Sequence, residues 1–333
     1  MLLLLTLLLR SLLRSLLTLL CGPRRLPARN LAVERPLDAA AQHYALLAAL
    51  PPLAPSNVFF SPFIGTFHAV LELLALPAFP FPLLGALHVG SALRVTDPLA
   101  LTGGPRALRG PALARVAWAV LPGTRQAARG VEVEVTVAVE VAGELQWAAT
   151  HRYLFPGARL APSDARAVLE AAGAASAGGS ACGEALAPLA PLPPPLPAAA
   201  APAAAGEGGG ALATLPLPLS AELGRAWGVL TRDYNPIHVS PLAARALGFR
   251  GGVVAHGMAV VMLALREALR SAAPLGAQAR ELQGRALRVA FLRPLMLPDA
   301  GATVVVQRCS DSGGRVALWV VSRGKVCCSA ELA

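Results

Sequence analysis

Between Val131 and Val141 the chain reads VEVEVTVAVEV, with valines alternating against Glu132, Glu134 and Glu140. Successive side chains of a strand point to opposite faces, so this period predicts a strand with one apolar and one wet face. Such a strand needs partners, and a sheet with one wet face is an antiparallel one. Three more strand signals surround it: Ala86–Val95, Ala114–Leu121 and Gln146–Leu154. An apolar stretch at 57–75 precedes them and reads as a buried helix, with Pro62 expected to break its start. The pattern then recurs. Helix-forming Ser220–Leu230, a loop at Thr231–Ser240, a short helix at Pro241–Leu247 and an apolar helix at His256–Leu269 come first. Strands at Arg285–Phe291, Ala302–Cys309, Val316–Val321 and Val326–Leu332 follow. Helix before strands is an α+β order, and it occurs twice. No strong residue-level repeat accompanies it, so duplication rests on pattern alone.

A chain of 333 residues has room for two such units, placed at 34–156 and 213–333. The segment 157–212 is rich in Ala, Pro and Gly and reads as a partly extended linker carrying one short helix at 163–173. Residues 1–33 form a leader in which Thr6, Arg10, Ser11, Arg14, Ser15 and Thr18 gather on one side of a helical wheel and leucines on the other. Arginine, serine and no acid in an amphipathic helix predict mitochondrial import. An interfacial anchor making peripheral membrane contact, or an ordinary docked helix of a cytoplasmic protein, are the alternatives. In the body the longest uncharged run, between Glu184 and Glu207, is interrupted by prolines, so no spanning helix is predicted there.

The formal net charge of +10 first suggests nucleic acid, but Arg10, Arg14, Arg24, Arg25 and Arg29 supply half of it before the first acid at Glu34. The other arginines are scattered and aromatics are 5% of the chain, so no nucleic-acid surface is expected. A modest positive field suits a phosphate-bearing carrier instead. Cys21, Cys182, Cys309, Cys327 and Cys328 make no C-x-x-C pair and read as reduced core thiols, with Cys327 and Cys328 on opposite faces of any strand. His43, His68, His88 and His151 have no ligand spacing around them and read as structural; no metal site is expected. Ser220 reads as a helix N-cap. No P-loop and no G-x-G-x-x-G after a strand is present, which argues against a nucleotide cofactor.

The chemistry concentrates in Thr231-Arg232-Asp233-Tyr234-Asn235-Pro236-Ile237-His238. D-x-N-P-x-H spacing arises by chance in a chain this long about once in a thousand. Pro236 forces Asn235 into extended backbone, so the segment is read as a loop or turn, not a helix. A turned loop can aim Asp233 and His238 at one point as an acid–base pair for gripping water, while the amide of Asn235 holds the loop or a substrate group. Eighteen residues on, His256-Gly257 opens the apolar helix. The first amides of a helix lack internal partners, so Gly257 N–H can stabilise a developing enolate oxygen. His256 itself reads as a cap or turn residue.

DYNPIH followed by GVVAHGM resembles the hydratase 2 motif of MaoC-like dehydratases and (R)-specific enoyl-CoA hydratases, closely over Leu230–Arg266. FLRPLMLPDA at 291–300 is similar to that family's Phe-x-x-Pro strand, and FPLLGALHVG near His88 resembles the motif-less half of two-domain 3-hydroxyacyl-thioester dehydratases. The resemblance implies a double hot-dog fold, antiparallel sheets each wrapped around a central helix, with a degenerate N-terminal half. It implies that Asp233 and His238 activate the water, Asn235 orients the loop and Gly257 forms the oxyanion hole. It also implies an acyl-CoA or acyl carrier protein substrate in fatty acid metabolism, no cofactor, and a pseudo-dimer within one chain, with homodimers of such chains left open. Two positions depart from the family. Arg232 stands where Gly or another small or acidic residue is usual, and Leu265 where some members carry a hydroxyl. A thioesterase on the same fold and a non-catalytic acyl-thioester-binding protein are the rival readings.

Overall fold

The computed structural model describes residues 23–37, 57–83, 85–96, 112–121, 123–176, 211–271, 286–308 and 316–332. The Leu-rich leader helix, most of the linker, His43, Cys21, Cys182 and Cys309 lie outside them.

The first half runs β1 (Leu31–Leu37), α1 (Asn57–Ala75), β2 (Leu87–Val95), β3 (Ala112–Trp118), β4 (Thr124–Ala127), β5 (Gly130–Val141), β6 (Glu144–Pro156) and α2 (Pro162–Ser176). The second runs β7 (Ala211–Pro216), α3 (Leu223–Thr231), α4 (Pro236–Val239), α5 (Pro241–Ala246), β8 (Val253–Val254) and α6 (Gly257–Ser271). It continues with β9 (Ala286–Phe291), β10 (Met296–Leu297), β11 (Thr303–Arg308), β12 (Val316–Ser322) and β13 (Lys325–Leu332).

The alternating valines do what their period requires. Val131, Val133, Val135 and Val137 of β5 are buried, while Glu132 and Glu134 on the other face meet Arg125 and Arg152. The strands join one antiparallel sheet of order β1-β3-β5-β6-β2-β9-β13-β12-β11-β7, with β4 added beside β5. Split between β2 and β9, this order is the same succession read from each edge: first, third, and on inward to the second strand of its half, counting β4 as an extra. The two second strands meet antiparallel, Ser91 opposite Val289 and Leu93 opposite Leu287, as a local two-fold requires. The duplication suggested by pattern is therefore topological, and the chain is a double hot dog of α+β class.

Each half-sheet lies on one long helix. Phe63, Phe67, Val70 and Leu73 of α1, and Met258, Val261, Met262 and Leu265 of α6, are fully or nearly fully buried. Each such side chain contributes about 1.5–3 kcal/mol over remaining exposed. Leu265, the departure from the family pattern, is thus a core residue. Pro62 does not break α1: it costs the bond to the carbonyl four residues back, and the buried Phe59, Phe60 and Phe63 around it outweigh that loss. Among the described residues no helix is long and apolar enough to cross a membrane.

Three boundaries differ from the sequence reading. The sequence places a leader at 1–33, but Arg24 pairs by backbone with Arg159 and Ala161, Asp164 accepts from Leu26 N at 2.7 Å, and β1 begins at Leu31. Composition places the linker at 157–212, yet Ala158, Leu160 and Val168 are buried in the first half, and β7 begins at Ala211. Within Thr231–Ser240, Pro236–Val239 forms one helical turn, because Pro236 occupies the first helical position, where no amide hydrogen is needed.

Candidate active site

The segment after α3 folds back on that helix, and two glycines permit it. A Cβ on Gly224 would stand 2.1 Å from the His238 carbonyl oxygen, and one on Gly228 2.8 Å from that of Asp233. Only glycine allows this approach. Arg232 ends α3 in the left-handed region, φ +57°. In that conformation a non-glycine residue costs about 1 kcal/mol.

Beyond Arg232 the loop is held by its own side chains. Thr231 Oγ1 donates to Trp227 O (2.9 Å) and accepts from Asp233 N (3.3 Å). Asn235 N donates to Asp233 Oδ1 (3.0 Å), and Asn235 Oδ1 accepts from Ile237 N (3.3 Å), capping the single turn of α4. Asn235 thus ties the loop through both its backbone amide and its side chain.

His238 Nδ1 lies 2.8 Å from Val254 O. A carbonyl only accepts, so Nδ1 carries the hydrogen and Nε2 keeps its lone pair. Val254 is fixed in turn, since β8 pairs with β10 and Ala255 N donates to Leu295 O at 2.7 Å. This pairing sets His256 and Gly257 at the start of α6 beside the turn after β9. His256 Nε2 sits 3.1 Å from Asp233 Oδ2, and the His238 and His256 rings are 5.1 Å apart. Phe291 lies against Gly257, where a Cβ would meet its ring at 2.4 Å.

His238, His256, Gly257 and Phe291 line a cleft of about 130 Å³, with Ala86–Val89 of the first half on its other side. Asp233, bonded to His256, is buried. One ligand atom each from Asp233, His238 and His256 lies within 4.8 Å of the others. That separation is within the roughly 5.5 Å that a single bridging water spans. Two imidazoles and a carboxylate would also fit a divalent cation.

The electrostatics suit base chemistry. Burial pushes the Asp233 carboxyl up, but the hydrogen bond and charge of His256, the charge of His238 and the Asn235 amide outweigh it, so it stays below its ordinary value. Burial lowers His238 to about 4, His256 adding to this against Asp233 and the Val254 bond. Burial alone holds His151 at about 3. These imidazoles are neutral in the native state at neutral pH and titrate near 6.5 when unfolded. Below pH 6.5 the unfolded chain binds protons that the folded one does not, so stability falls with falling pH. The fully buried His151 alone supplies up to about 1.4 kcal/mol per pH unit there. The melting temperature should be level above pH 7 and decline steadily from pH 6.5 towards pH 4. A flat profile to pH 5 would contradict the buried neutral imidazoles.

The structure brings Asp233, His238 and Gly257 to one place, with Asn235 as their brace. Sequence reasoning gave His256 only a capping role, and its carbonyl does accept from Val260 N at 3.2 Å. Its bond to Asp233 was not foreseen, nor was the place of His88 on the cleft wall. The spacing of Gly224 and Gly228, one helical turn apart before the motif, was an available signal for the close loop. Cys327 and Cys328 both line the cleft, since the ladder slips between Val320 and Val321 and a strict alternation no longer holds.

Residues 205–318 match the model of the MaoC-like domain family. The chain is 27% identical over 303 residues to 3-hydroxyacyl-thioester dehydratase X of Mycobacterium tuberculosis, covering 90% of this chain and 87% of that protein. Among solved structures, HtdX of M. tuberculosis superposes with TM-score 0.56 at 22% identity, covering 91% of this chain and 99% of that one. A MaoC-like dehydratase from Phytophthora capsici gives 0.53 at 15% identity over 96% and 98%. The superpositions establish a shared double hot-dog fold.

Proposed function

We propose, from the premise that this chain belongs to the MaoC-like domain family through residues 205–318, that it is a hydro-lyase of fatty acid metabolism. It interconverts trans-2-enoyl and (3R)-3-hydroxyacyl thioesters. The carrying observation is the grouping of the Asp233 carboxylate with His238, whose Nε2 keeps its lone pair, beside an amide at a helix start. In hydration, water gives a proton to His238 as its oxygen bonds to C3. Charge moves to the thioester oxygen, which accepts from Gly257 N–H. C2 then takes a proton returned from the same pair, which leaves the site as it began. His256 holds Asp233 in place by donating Nε2–H. The (3R) stereochemistry follows the family resemblance.

Arg129 and Arg293, both exposed, line the cleft from opposite halves and suit the phosphates of coenzyme A or of a carrier protein's pantetheine arm. The motif-less first half closes the cleft and gives the acyl tail its space. The arginine and leucine pattern of the leader supports a mitochondrial destination.

Loss of the conjugated ultraviolet absorbance of trans-2-enoyl-CoA, over a series of chain lengths, tests the reading. A pantetheine thioester without phosphate should react with a higher KM and similar kcat. Release of free thiol with the double bond intact would instead make the protein a thioesterase, and tight binding without turnover a carrier or sensor.

A further inference from the structure

The first half carries a second polar assembly that the reaction as derived does not use. His88 Nε2 lies 2.8 Å from Ser91 Oγ, which lies 2.8 Å from His151 Nδ1. Ser91 and His151 are fully buried and sit opposite each other in the β2–β6 ladder, as do His88 and Tyr153. A regular strand would turn His88 and Ser91, three apart, to opposite faces. The register shift between His88 and Gly90 brings them to one face. The His88 ring stacks on Tyr153 at 4.9 Å and stands 5.0 Å from Phe291, on the wall of the same cleft as His238, His256 and Gly257.

The chain of bonds ends in buried polar atoms. Among the described residues His88 Nδ1, His151 Nε2 and Tyr153 Oη complete no hydrogen bond of good geometry, although the Gly90 backbone comes within hydrogen-bonding range of the His88 ring. Unpaired buried polar atoms are costly and rare, and a group of them beside a cleft marks the place of a ligand. Burial keeps His88 neutral, so one of its nitrogens donates and the other accepts. Ser91 has one hydrogen to give. If it gives it to His151, its oxygen accepts from His88 Nε2–H and Nδ1 is a bare acceptor. If it gives it to His88 Nε2, His88 presents Nδ1–H. Both arrangements satisfy the inner bonds and neither carries charge.

We propose that His88 is a positioning residue: its Nδ1 hydrogen-bonds an oxygen of the acyl thioester in the cleft, and Ser91 with His151 holds the matching tautomer. The degenerate half thus contributes a polar contact as well as space. This rests on the hydratase reading. Either arrangement is open, so Nδ1 can accept from the 3-hydroxyl of the hydrated thioester or donate to the carbonyl that both thioesters carry.

The test uses the full chain and three variants, His88→Phe, His88→Asn and Ser91→Ala. His88→Phe keeps a ring of similar size and removes both nitrogens. We expect kcat/KM for enoyl-CoA to fall about 10- to 100-fold while the melting temperature stays level or rises, because an unpaired buried polar atom is gone. His88→Asn should recover part of the loss, and Ser91→Ala should show a smaller one. Unchanged kcat/KM in His88→Phe would overturn the proposal. So would a loss that tracks a falling melting temperature and is not repaired by Asn. Should the wild type hydrate nothing, the functional reading fails separately. The thermal shift given by a 3-hydroxyacyl-CoA then reads His88: its loss in the Phe variant sustains the contact, and its persistence removes it.

Discussion

Asp233→Asn is expected to lower kcat for enoyl-thioester hydration by about a thousandfold, within the range for loss of a positioned acid–base group. The substitution is nearly isosteric. Its remaining carbonyl can still accept from Asn235 N, so the loop brace survives. On the other side an NH₂ would face His256 Nε2–H, donor against donor. His256 can relieve this by moving its hydrogen to Nδ1, which has no partner among the described residues. The fold should therefore hold, and far-ultraviolet dichroism should match the wild type. What is lost is charge. Asp233 raises the pKa of His238, so its neutralisation leaves His238 a still weaker base, at the moment when the water loses its second acceptor. His238→Ala should cost a similar factor. The double variant should cost little more than either, since the two groups act on one water. Near-normal turnover in either single variant would discard the mechanism.

How much of this was legible beforehand depends on the range of the contacts involved. The β5 alternation and both long helices were readable because their periods are local, and helix α1 occupies the residues expected of it, 57–75. The Asp233–Pro236 brace was readable for the same reason, since every bond in it spans two residues. Strands β1 and β7 were not. LAVERPL and ALATLP carry no clean alternation, and they are strands because an edge of a half-sheet waits for them. The bond from His256 to Asp233 spans 23 residues, and the path of the chain between them is set by a two-residue pairing of β8 with β10. His88 reads as structural in sequence, where no partner stands at a recognisable spacing. Its partner Ser91 stands three residues away across a strand irregularity that no pattern announces, and His151, bonded to Ser91, sixty residues further.

Gly257→Ala is expected to cost about a hundredfold in kcat, through space alone. The backbone of Gly257 lies outside the left-handed region, so alanine is permitted there. The methyl group, however, would fall 2.4 Å from Cε1, 2.5 Å from Cδ1 and 2.8 Å from Cζ of Phe291. No carbon pair tolerates that, so one side must yield. Phe291 ends β9, pairs with Cys328 and has the His88 ring behind it, which leaves it little freedom to retreat. The start of α6 is then displaced, and its amide leaves the position that the enolate oxygen requires; loss of one such donor costs 10²–10³-fold. If instead the ring swings, it enters the cleft and raises KM. Phe291→Leu in the Gly257→Ala background separates the two. It removes the ring atoms that the methyl group meets, and should return most of kcat if the amide is the oxyanion donor. A Gly257→Ala enzyme with unaltered kcat and KM would show that the enolate oxygen is held elsewhere. The helix start would then be a packing device, with glycine chosen only to admit Phe291.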